Sequence, residues 1–116
     1  MDNNITAEQV FDAALRIQLC QRRSLDVDFF PDQVRLHLPP KRLLAQYIPV
    51  PMSKITMILS EMEQKQLIGS ELRGGMWVTP LGNRIIIDYL TQKYQKEALA
   101  LLGPVLLQKL LQRIRV

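Results

Sequence analysis

The sequence predicts a mainly α-helical chain with a small β-ribbon, an α+β fold in one domain, and three observations predict it. Apolar residues recur at helical spacing through most of the chain. One segment alternates with a period of two before a proline pair, and two further short β-like runs flank Gly74-Gly75. At 116 residues, 47% hydrophobic and 22% charged, the chain is long enough for one modest core and too apolar to stay disordered. Residues 1–33 are expected to form a helix and a connection, 34–82 a strand, two helices and the ribbon, and 83–116 two closing helices.

The first helix is expected over residues 6–22. Thr6 stands three residues before Gln9, the spacing of a capping box, and Val10, Phe11, Ala14, Leu15 and Ile17 follow at helical period. "SLDVDFFPDQ" holds three acids and a proline without helical period, so it reads as a connection. In "VRLHL" Val34, Leu36 and Leu38 face one way and Arg35 and His37 the other, the pattern of a half-buried strand. Pro39 and Pro40 stop it and suit the start of a short helix, "KRLLAQYI". Pro49 ends that helix, since proline disfavours helical geometry in the residue before it.

After the "IPVP" turn, Ile55, Ile58, Leu59 and Met62 form the stripe of a helix packed on a core, with Leu67 and Ile68 closing it and Gly69 permitting the exit. "SEL" and "MWVTP" read as two short strands about a tight glycine loop. "LGNRIIIDYLTQKYQKEALALL" resumes helical spacing through Ile85 or Ile86, Tyr89, Leu90 and Leu99, until Gly103-Pro104 breaks it. The last helix, "VLLQKLLQRIRV", aligns Leu106, Leu107, Leu110, Leu111 and Ile114. That stripe is too apolar to stand in water, so it packs either within its own chain or on a second copy as a dimerisation surface.

One cysteine, Cys20, and one histidine, His37, exclude a disulfide framework and a Cys/His zinc site within one chain. Cys20 is expected to be buried or half-buried in the first helix, and His37 to be a surface strand residue. No Walker loop, dinucleotide fingerprint or nucleophile-base set is present, so neither an enzymatic activity nor a cofactor or metal is expected. No apolar run reaches the length of a membrane span, and the N-terminus lacks the pattern of a signal peptide, which makes the expected location cytoplasmic. The net charge of +4 is unevenly spread: −2 over residues 1–38, +3 over 39–84 and +3 over 85–116. Such asymmetry suits a polyanionic partner without requiring one.

Strand, helix, turn, helix and ribbon, in that order, are the outline of a winged helix. "VRLHLPPKRLLAQYI", with its Leu44-Ala45 pair, and "SKITMILSEMEQKQLI" resemble the DNA-binding domain of the cyclic-AMP receptor protein family. "MWVTPLGNRI" is similar to the end of the wing in MarR-type regulators. The resemblance covers residues 34–82 and implies a recognition helix whose base-reading positions fall at Met52, Ser53, Lys54, Thr56 and Met57. It implies a non-enzymatic regulator of transcription that binds double-stranded DNA as a homodimer. The receptor family carries arginine where this chain has Met52 and Met57, and methionine cannot make arginine's bidentate bond to guanine. No cyclic-nucleotide domain accompanies the match, so no effector site follows from it.

Around those positions Lys41 and Arg42 could meet phosphates, Ser60 extends the polar side of the helix, Arg73 sits at the wing tip and Arg84 just beyond the wing. The "LRGG" loop could reach a minor groove or be only a tight turn. A second reading keeps the fold and changes the partner. Met52 and Met57 would then form an adaptable apolar contact for a protein, and the chain would be an adaptor without DNA binding.

Overall fold

A computed structural model describes residues 5–71 and 75–115, apart from the Arg115 side chain. It is mainly helical, with two small antiparallel hairpins. Helix α1 (Ala7–Leu15) starts at the expected capping box: the Gln9 N–H donates to the Thr6 hydroxyl at 3.2 Å, and the Thr6 N–H to the Gln9 side-chain oxygen at 2.9 Å. The chain continues through a π-helical segment, Arg16–Arg22, and Arg23 ends it in the left-handed region with φ 51°. This segment buries Ile17, Gln18 and Leu19 in succession, as α1 does Ala13, Ala14 and Leu15. It leaves Cys20 exposed, correcting the expectation of a buried or half-buried thiol.

Part of the expected connection is a strand. β1 (Val27–Phe29) pairs antiparallel with β2 (Val34–Leu36) in the register Val27 to Leu36, Asp28 to Arg35 and Phe29 to Val34. Helices α2 (Lys41–Tyr47) and α3 (Met52–Gln64) follow, each entered from an extended proline, Pro40 and Pro51, whose fixed φ suits a helix start. β3 (Ile68–Ser70) then pairs antiparallel with β4 (Met76–Val78). β3 lies two residues earlier than the expected strand, and Leu72 lies outside the described residues. One bridge, His37 to Trp77, and a 2.9 Å bond from the Leu38 N–H to the Met76 carbonyl join the two hairpins.

Two glycines have specific tasks in this region. Gly69 is not the exit from α3; Gln66 turns the chain there with φ 62°. Gly69 instead lies inside β3 beneath the Trp77 ring, where any side chain would collide with the indole. Gly82 lets α4 (Pro80–Asp88) approach the chain: a Cβ there would overlap the Leu67 carbonyl oxygen and stand 2.8 Å from Val78 Cγ1. Its N–H donates to the Thr79 hydroxyl at 3.1 Å, capping α4.

A π-helical segment, Tyr89–Lys93, extends α4, and the chain breaks at Tyr94, where one continuous helix was expected. α5 (Gln95–Arg115) is two helices meeting at Gly103, whose φ of 79° and ψ of 163° are non-helical, with Pro104 just beyond. The kink falls where the sequence places it. Leu107, Leu110 and Ile114 are buried in the chain's own core. This corrects their assignment to a dimer face: the Gly103 kink folds the last helix back onto its own chain. Leu106 is exposed and Leu111 half-buried.

Phe11, Leu44, Ile55 and Leu90 lie at the core's centre. Burial of each such side chain stabilises the fold by about 1.5–3 kcal/mol. A polar clamp closes the core's edge. The Tyr94 hydroxyl donates to the Asp12 carboxylate, which also receives Lys93 at 3.0 Å and Arg16 at 3.4 Å. Burial pushes the Asp12 carboxyl up, but the Tyr94 hydroxyl and Lys93, with help from Arg16, outweigh it and hold it below its usual value. Tyr94, itself buried, is pushed up to about 12, first by burial and then by its bond to Asp12. Among the described residues no helix is long and apolar enough to cross a membrane.

Candidate nucleic-acid interface

α3 is held by one side. Ile55, Ile58, Leu59 and Met62 are buried, at the i, i+3, i+4, i+7 spacing of a core-facing stripe. The opposite side carries Ser53, Thr56, Met57 and Ser60, all exposed. Met57 is 63% exposed and Met52 45%, so both methionines stand in solvent. Lys54 is half-buried on the flank of the helix, where the sequence reading put it on the open side.

The start of α3 has no side-chain cap, and the Lys54 and Ile55 N–H groups bond back to the Pro51 carbonyl. The first N–H groups of a helix have no partner within it, and they point along the positive end of its dipole. Lys41 and Arg42, both exposed, open α2 nearby.

Between α2, α3 and the β3–β4 hairpin lies an open groove of about 630 Å³. Lys41, Arg42, Met52, Thr56 and Ser60 line it, so five of the expected contact residues meet on one surface. Ser53, Lys54 and Met57 belong to the same helix but do not line the groove. Arg84 is exposed on α4 and does not line it either. Arg73 lies outside the described residues.

The sequence reading missed the acids of this groove. Glu63 and Glu71 line its hairpin end, and the Ser70 hydroxyl donates to the Glu63 carboxylate. Glu61 is engaged with Lys65 one turn on, at 3.1 Å. The groove is therefore polarised, cationic where α2 and α3 begin and anionic toward the hairpin. Helical spacing was the available signal, because Met52, Thr56, Leu59, Ser60 and Glu63 fall on one flank of a regular helix.

Two aromatic rings steady the hairpin behind the groove. The Arg35 guanidinium lies 4.0 Å from the Trp77 ring centroid and 5.2 Å from that of Phe30, a cation–π stack spanning both hairpins. The hairpin beside α3 is thus fixed through β2. Such an arrangement can present a rigid helix, two exposed cations and a row of hydroxyls to an extended anionic partner. No protein-family model, no curated protein and no solved structure matches the chain.

Proposed function

We propose that the chain is a winged helix-turn-helix protein of the cytoplasm that binds double-stranded DNA without catalysis, as a homodimer, and regulates transcription. The fold reading draws support from the order strand, helix, turn, helix, hairpin and from the bridge that ties β2 to β4. The observation that carries the function is the outer side of α3, where Ser53, Thr56, Met57 and Ser60 stand clear of the core beside Lys41 and Arg42. Phosphates meet the cations and the free N–H groups that begin α3, and base edges meet the hydroxyls. Without arginine at Met52 and Met57, sequence discrimination is weak. The exposed Val105 and Leu106 of α5 serve as the contact with a second copy.

One observation favours a different partner. Met52, Met57 and Tyr47 are each exposed large apolar side chains, and adaptable apolar side chains suit a protein ligand. Fluorescence anisotropy with mixed-sequence duplex DNA separates the readings. Lys41→Ala with Arg42→Ala strongly weakens the complex at low salt if DNA is the partner, while Met52→Ser with Met57→Ser leaves most of the affinity. Failure of the unaltered protein to bind any duplex at low salt sinks the DNA reading.

A further inference from the structure

The solvent side of the β1–β2 hairpin gathers a set of metal-ligating groups that the DNA reading does not use. Asp28 stands opposite Arg35 in the ladder, and the His37 N–H donates to the Asp26 carbonyl at 2.9 Å, which sets Asp26 opposite His37. Because side chains alternate along a strand, Asp26, Asp28 and His37 share one face. One ligand atom from each lies within 4.8 Å of the other two, and His37 Nε2 stands 2.7 Å from Asp28 Oδ2.

Two further observations distinguish this trio from a loose acidic surface. The His37 backbone is held on three sides: by Asp26, by the bridge to Trp77, and by the buried Gln18 side chain, whose Nε2 donates to the His37 carbonyl at 2.6 Å. The imidazole therefore projects from a fixed point. Arg35, the cross-strand neighbour that would ordinarily neutralise Asp28, is drawn onto Trp77 and Phe30, and among the described residues it forms no ion pair. Both carboxylates are left facing an imidazole instead of a guanidinium.

We propose that Asp26, Asp28 and His37 bind a divalent first-row transition metal of the zinc class. Each carboxylate supplies one oxygen and His37 supplies Nε2, in the tautomer with its proton on Nδ1, while water completes the coordination. The donor set selects the ion class. Imidazole nitrogen suits zinc and its neighbours, whereas calcium and magnesium seek six or more oxygen ligands. Two carboxylates balance the ion's charge, and at zinc–ligand distances of roughly 2.1 Å tetrahedral neighbours stand about 3.4 Å apart, so the His37–Asp28 pair needs to open by less than an ångström. The site carries no Cys/His spacing signal, so no metal is expected from the sequence.

The chain carries its own reporter, since Trp77 is its one tryptophan and is bridged to His37. Metal-free, untagged protein titrated with Co²⁺ is expected to lose Trp77 fluorescence saturably, with recovery on adding Zn²⁺ and none on adding Mg²⁺. Calorimetry is expected to give one Zn²⁺ per chain. Asp26→Asn and Asp28→Asn keep the shape of exposed side chains, and each should weaken binding at least about tenfold, the lower end of what loss of even an outer-shell partner costs. His37→Ala should do the same, while Asp88→Asn, on α4, should not. At a fixed Zn²⁺ concentration the unfolding temperature of the unaltered chain should rise more than that of Asp28→Asn. Absence of saturable binding, or binding that survives Asp26→Asn and Asp28→Asn together, overturns the proposal.

Discussion

The salt dependence of the DNA complex tests the proposed interface most directly. Lys41 and Arg42 of α2 line the groove and Lys54 lies on the flank of α3, which offers three cations per protomer to phosphates. Each phosphate neutralised releases counterions, so the logarithm of the binding constant falls by about 0.9 per contact for each tenfold rise in salt, or about 2.7 for three. Between roughly 50 and 200 mM salt this weakens binding about 40-fold per protomer. Lys41→Ala with Arg42→Ala leaves one contact, a slope near −0.9 and a loss of only about 3.5-fold over the same range. Anisotropy titrations of a labelled duplex at several salt concentrations measure both slopes. Glu71→Gln removes a negative charge from the groove's anionic end and should tighten the complex. A variant slope equal to that of the unaltered protein would refute the placement of the phosphates, even if DNA binds.

Three stability predictions accompany it. Gly82→Ala forces a Cβ against the Leu67 carbonyl and Val78, and chemical denaturation should register a loss of about 3 kcal/mol, at the upper end of ordinary overpacking. Gly103→Ala meets no steric neighbour but must hold a φ of 79°, so a loss of about 1–3 kcal/mol should come from backbone strain alone. Tyr94 gives a pH signature. The folded chain holds its phenolic proton more tightly than the unfolded chain, so this stability is fully present below pH about 10 and is lost as pH rises through about 12. Allowing for solvent around Arg16 and Lys93, that loss is about 1–2 kcal/mol; denaturant melts across this pH range should register it, and Tyr94→Phe should remove it.

The parts of the fold that were legible rest on local chemistry. Thr6 and Gln9 define the start of α1, two prolines define the starts of α2 and α3, and the buried stripe of α3 is the one its spacing announces. β1 was hidden by its charge. Asp26 and Asp28 alternate with Val27 and Phe29, a strand period that reads as a loop when acids and Pro31 are weighed more heavily. The π segments left no such trace. Between Tyr89 and Tyr94 the extra residue per turn and the break rotate the apolar stripe, so Ala98 is buried where Leu99 was expected, and Leu99 is exposed.

The candidate interface was legible where it depends on which side of α3 faces outward. It was not legible where it depends on neighbours distant in sequence. Glu71 reaches the groove only because β3 and β4 fold beside α3, and Asp26 meets His37 only through the pairing of β1 with β2. Lys54 carried no sign that it would be half-buried. The closing stripe was read as a face that must be buried, which holds for Leu107, Leu110 and Ile114 but not for Leu106, and only the Gly103 kink decides that those three pack on their own chain.

The clamp between the two ends of the chain also governs how the chain is made. Asp12 meets Lys93 and Tyr94 across 81 and 82 positions, and Arg113 reaches the Phe30 carbonyl across 83. Emerging from a ribosome, α1 would wait for most of the remaining chain before its apolar face could close. Contacts of such long sequence separation slow folding, because the loop between them must be ordered first. The two helices that bear the candidate interface pack on α1, and so does α4, which is synthesised after them, so shortening the chain ahead of α4 would uncover part of α1.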